Sequence, residues 1–161
     1  MLKGCERVKK MVATILAIVC AFAMISCHHS PAEQIDAVSN KSYSDFEGIS
    51  VEISDLHISP DKTSLTVLWS NSTEYTAVYG NVYRIQRLEK DEWVDCSLGV
   101  NVFNMVGYLL TPNETADKEY DLTQQYDISQ AGTYRFIADC SVETSDEHST
   151  DCSVWAEFRV Q

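Results

Sequence analysis

Two alternating runs near the end of the chain limit its fold more than any other feature. Tyr134, Phe136, Ala138 and Cys140 share one parity; Cys152, Val154, Ala156, Phe158 and Val160 share another. A period of two gives each run one apolar face as an extended strand. Between them, Glu143 to Thr150 is polar and charged, as a hairpin connection would be. Folding the hairpin about Asp146 sets 140 opposite 152, 138 opposite 154, 136 opposite 156 and 134 opposite 158. Opposed residues of an antiparallel pair point to one face, so both apolar sets enter the same core. Cys140 and Cys152 then lie side by side as a candidate disulfide. Two buried thiols would also pack there, and an unequal hairpin arm would change the register, so both states stay open.

The same period recurs upstream. Ile49, Val51 and Ile53 alternate, followed by Leu56 and Ile58, and Ser59-Pro60-Asp61-Lys62 forms a turn with proline early in it. Thr63 to Asn71 reads as a strand with Leu65, Val67 and Trp69 on one side, and Asn71-Ser72-Thr73-Glu74 turns the chain again. Tyr79 to Leu88 is a further strand with Tyr79, Tyr83 and Ile85 on one face. Glu89 to Glu92 is a charged hairpin loop, and Trp93 to Cys96 is the return. Val100 to Leu110 is apolar and aromatic, broken by Asn104 and Gly107. After the turn Thr111-Pro112-Asn113-Glu114, Ala116, Lys118, Tyr120 and Leu122 alternate with acids as an edge strand would. Thr123 to Gln130 suits one helical turn. No stretch past the amino-terminal segment keeps a helical period over about 12 residues, so the expectation is all-β. A β-sandwich of about seven to eight antiparallel strands fits the spacing of the turn signals.

The amino terminus obeys a different grammar. Lys3, Arg7, Lys9 and Lys10 precede an apolar run from Met11 to Ile25, then Ser26 and Cys27. A basic head, an apolar run and a small residue make up a secretion signal, and the run is short for a bilayer span of about 20 residues. Met24-Ile25-Ser26-Cys27 resembles the lipobox of bacterial lipoproteins, departing at Met24, where that family favours leucine. The resemblance implies cleavage before Cys27, lipidation of that cysteine and anchoring on the extracytoplasmic face of the cell membrane. Cleavage after Ala21-Phe22-Ala23 with Cys27 left as a spare thiol, retention as a membrane helix, or a coincidental cysteine are the alternatives. The expected organisation is a signal peptide over residues 1–26, a lipidated cysteine and flexible tether over 27–47, and the sandwich over 48–161.

Removing residues 1–26 of 161 takes away four of the twelve basic residues and one of the 24 acidic ones, so the net charge moves from −12 to −15. So acidic a surface repels nucleic acid, and DNA or RNA partners are excluded. Of six cysteines, Cys5 and Cys20 leave with the signal and Cys27 takes lipid, which leaves Cys96, Cys140 and Cys152. If the last two pair, Cys96 is a free thiol.

The mature chain offers little chemistry. It has no Gly-x-Ser-x-Gly, no His-Glu-x-x-His and no phosphate-cradling glycine loop, and no clustered Cys/His spacing for zinc. His28 and His29 fall in the tether, His57 near a strand end and His148 in a loop. The expectation is no catalysis and no cofactor. Asp139, Glu143, Asp146, Glu147 and Asp151 crowd the last hairpin, so Asp146, Glu147 and Asp151 are candidate ligands for Ca²⁺ or a small cationic molecule. A soluble hairpin tip is the plain alternative. Trp93 and Trp155 fall at positions that can face outward and are candidate partner-facing aromatics; covering the flank of an edge strand is the alternative. Asn71-Ser-Thr and Asn113-Glu-Thr have the form of glycosylation acceptors.

Gln130-Ala131-Gly132-Thr133-Tyr134-Arg135-Phe136 resembles the corner before the penultimate strand of immunoglobulin-like domains, where a buried tyrosine bonds nearby backbone. The series from Leu65 to Asn71, through Tyr79-Gly80 and Trp93, to Gly107-Tyr-Leu-Leu-Thr-Pro112 and Gly132 to Phe136 is similar to bacterial immunoglobulin-like domains of surface lipoproteins, over residues 49–161. Two departures stand out: Phe136 occupies the place of the second antibody-type cysteine, and the tryptophan of the third strand is missing. The resemblance implies an immunoglobulin-like sandwich without the inter-sheet disulfide, on a tethered surface protein that meets an unidentified protein or cell-envelope partner.

Overall fold

The alternating segments become nine strands among the described residues: β1 (Ser42–Ser44), β2 (Ile49–Ile58), β3 (Thr63–Asn71), β4 (Thr76–Glu89), β5 (Glu92–Asp95), β6 (Gly107–Leu110), β7 (Thr115–Asp121), β8 (Gly132–Ser145) and β9 (His148–Val160). The computed structural model describes residues 41–99, 102–145 and 148–161. The expected signal segment, Cys27 and most of the expected tether lie outside them, as do Asp146 and Glu147.

The strands form two antiparallel sheets. One runs β1-β9-β8-β4-β5, with β6 also paired to β4; the other is β2-β3-β7. The β8–β9 hairpin has the register its alternation requires: Cys140 opposes Cys152, Phe136 opposes Ala156 and Tyr134 opposes Phe158. Inward positions of both sheets interdigitate. Trp69, Tyr134, Phe136 and Phe158 are the largest fully buried side chains, and each such burial contributes about 1.5–3 kcal/mol. Where antibody-type domains place a bridge, aromatic rings pack between the sheets. Phe136 of β8 meets Tyr120 of β7 at 4.8 Å, and Trp69 of β3 stacks on Tyr79 of β4 at 4.4 Å.

The structure adds three features to the sequence expectation. The six-stranded sheet reaches back before the boundary drawn at residue 48, because Tyr43 pairs with Trp155 and the Asp45 carboxylate accepts from the Ser153 amide at 2.7 Å. Ser42–Ser44 are therefore an edge strand of the sheet, ahead of that boundary. Of the described part of the apolar stretch, residues 102–110, only Gly107–Leu110 is a strand. Finally, β1 and the short β5 and β6 bring the strand number to nine, above the expected seven to eight.

Turn chemistry fixes the connections. Lys90 and Asp91 both have positive φ, 48° and 69°, as a two-residue turn between twisted strands demands. Asn113 sits at φ 60°, and the Glu114 carboxylate accepts from both the Thr111 amide and its hydroxyl at 2.7 Å.

Candidate interaction face

The outward faces of the two sheets have different chemistry. Across the three-stranded sheet, Glu52, Leu68 and Asp117 form one cross-strand row and Ser50, Ser70 and Thr115 the next. This face is polar and acidic, the ordinary solvated side of a half-buried sheet. On the six-stranded sheet one row runs Tyr43, Trp155, Ile137, Arg84. Ile137 is buried although it points away from the core, because neighbouring outward side chains cover it.

Both candidate tryptophans are on this second face. Trp155 is half-buried, with the Tyr43 ring stacked at 5.9 Å and 25°. Trp93 of β5 carries the Arg135 guanidinium at 4.4 Å over its ring. Arg135 in turn donates twice to the Gln86 side-chain oxygen, at 2.8 and 2.6 Å. Each tryptophan thus has one ring face occupied by a neighbour.

Beside them β4 departs from regular pairing. Tyr79 opposes Cys140 and Tyr83 opposes Ala138, so four steps along β4 match two along β8. The two extra residues form a bulge at Gly80–Val82, which bends the strand and interrupts the ladder. The bulge floors a groove of about 620 Å³, walled by the segment before β6 on one side and by β8 and β9 on the other. Gly107 lies close against β4 there: a Cβ on it would meet Val78 Cγ1 at 3.2 Å. Exposed apolar side chains collect around the opening: Met105 is 92% exposed, Leu109 65% and Val82 45%. Sequence reasoning marked this stretch as apolar and missed the groove. A two-residue bulge preserves parity, so Tyr79, Tyr83 and Ile85 still alternate as in a regular strand.

The remaining candidate groups are spread over the molecule. Cys140 and Cys152 are disulfide-bonded across β8 and β9, inside the core side of the sheet. Cys96 is free and half-buried, and burial pushes its thiol up, against the nearby Arg87. His57 and Asp151 are exposed. Asp151 is the one candidate cation ligand of its three within the described residues, which contain no group of three or more His, Cys, Asp or Glu placed to hold a metal. Asn71 is buried; its amide donates to the carbonyls of Tyr75 and Leu110, and its oxygen accepts from the Thr73 amide. Its side chain is unavailable to a glycan. Tyr83 and Tyr120 are raised well above the usual phenol range by burial, and Tyr126 is pushed up to about 12 by the same cause. Tyr83 donates to the Asp121 carbonyl and Tyr126 to the Tyr83 carbonyl, both at 2.6 Å. These phenols join the layers as neutral donors.

Comparison with known proteins agrees with this architecture. A family model described as a bacterial Ig-like domain matches residues 45–153. Curated proteins give no match to the chain.

Proposed function

The chain belongs to the bacterial Ig-like domain family, and from that premise we propose that it is a non-enzymatic surface lipoprotein. It is held to the cell membrane by lipid on Cys27 and presents the outer face of its six-stranded sheet to a protein of the cell envelope. The observation that carries this reading is the exposed apolar side chains Met105, Leu109 and Val82 beside the groove on the outer face of the six-stranded sheet. Soluble domains seldom leave contiguous apolar surface exposed unless something binds it.

A protein suits this face better than a sugar. Sugars stack on open aromatic faces, and Tyr43 and Arg135 each take one ring face of Trp155 and Trp93, which leaves less aromatic surface open for stacking. The exposed groups beside them are aliphatic and flexible, which favours side-chain packing. Lipid would confine the domain to two dimensions, the segment before β1 would give reach, and the rigid sandwich would hold the face in shape.

The test is photo-cross-linking in intact cells from a photoreactive residue at Met105, with Glu52 on the opposite face as control. The reading expects a discrete protein adduct from position 105 and none from position 52. No adduct from either, or the same adducts from both, overturns it.

A further inference from the structure

We infer that the groove beside the β4 bulge takes an extended protein segment of alternating basic and apolar residues. The inference rests on the docking-face reading above and adds the chemistry of the partner. The two walls of the groove differ. Val78, Val82, Met105 and Val106 make one apolar, while Asp45, Asp139 and Asp151 line the other. All three carboxylates are exposed, and the Ser153 amide fixes that of Asp45. One cation opposes them: Arg84 reaches Asp139 at 4.0 Å, with both side chains more than half exposed. An ion pair so long and so exposed is weak, and three acids against one guanidinium leave the wall negative.

An extended chain sends successive side chains to opposite sides. Laid along this groove, it would direct an aliphatic side chain to the Val82–Met105 wall and an ammonium or guanidinium to the Asp139–Asp151 wall. Charge excludes the obvious competitors. A second copy would set carboxylate rims against each other on chains of net charge −12, and an anionic lipid or nucleic acid would be repelled for the same reason.

The test is amide chemical-shift mapping on the purified full-length protein with three blocked pentapeptides: Lys-Leu-Lys-Leu-Lys, Lys-Ser-Lys-Ser-Lys and Glu-Leu-Glu-Leu-Glu. The first should shift the amides of Val82, Met105 and Asp139 saturably, and the other two should not. The paired substitution D139N and D151N, both at exposed positions, should weaken that binding roughly three- to tenfold, and added salt should weaken it in the wild type. Shifts spread over the whole acidic surface, and produced equally by the Lys-Ser peptide, would show charge attraction alone and overturn the inference. So would equal binding of the Glu-Leu peptide in the groove, or no groove binding by the Lys-Leu peptide. Those outcomes leave the docking face itself to be judged by cross-linking from Met105.

Discussion

The Tyr134 hydroxyl donates to the Gln130 carbonyl at 2.6 Å, tying the entry of β8 to the corner that precedes it. The ring is fully buried and stacks on Phe158 at 5.5 Å, so position and orientation are both set from within the core. Tyr134→Phe keeps the ring and removes the bond. The expected loss is about 1–2 kcal/mol, read as a lower urea midpoint at unchanged slope. A midpoint equal to that of wild type would mean that the corner is held by ring packing alone.

Asn71 has a larger share in stability than a turn residue would. Its amide satisfies the Tyr75 carbonyl just before β4 and the Leu110 carbonyl at the end of β6, at 2.8 and 2.9 Å, so one side chain joins both sheets. Asn71→Ala should cost about 2–3 kcal/mol, because it strands acceptors in a half-buried site. Asn71→Asp should lose most of the same amount, since a carboxylate accepts but cannot donate. Equilibrium unfolding of both variants checks this.

The Cys140–Cys152 bond closes a short loop, with a sequence separation of 12. Replacing both residues by alanine should cost about 2–3 kcal/mol and leave the hairpin register in place, since the flanking apolar pairs set it. Thiol counting on the unfolded, unreduced sandwich should find Cys96 alone. Its thiol is raised by burial, so alkylation of the native protein at neutral pH should be slower than alkylation in denaturant.

The buried tyrosines set the alkaline limit of stability. Phenols titrate near about 10 when unfolded, whereas burial raises Tyr83 and Tyr120 and pushes Tyr126 up to about 12. Between those values the folded chain keeps protons that the unfolded chain releases. Stability is therefore flat with respect to these groups below about pH 10 and falls as pH rises above it. Phenolate absorbance and the circular-dichroism signal should change together in that range. Ionisation of all eight tyrosines near pH 10, with the sheet signal intact, would contradict the packing described.

The strands were legible wherever one face is buried. Alternation at Leu65, Val67 and Trp69, and from Tyr134 to Cys140, gave both the elements and the β8–β9 register. What escaped is what periodicity cannot carry. The bulge at Gly80–Val82 inserts an even number of residues, so it leaves the inward parity of β4 intact. The edge strand Ser42–Ser44 is polar and short; it pairs through backbone and one stacked tyrosine, and its composition matches that of a linker. Asn71 looked like turn punctuation because sequence shows the residue type and not the carbonyls converging on it. Trp93 and Trp155 could be named from parity, but the arginine and tyrosine that pack on them come from other strands.

The proposed function requires the sandwich to work outside a bacterial membrane, held there by lipid on Cys27. Metabolic labelling with a clickable fatty-acid analogue, followed by intact-mass measurement of the membrane-extracted protein, tests it most directly. A lipid-anchored protein gives a labelled species that begins at Cys27 and carries acyl mass, with the label abolished by Cys27→Ala. A chain that keeps residues 1–26, or a Cys27→Ala variant that still takes the label, would contradict that anchoring.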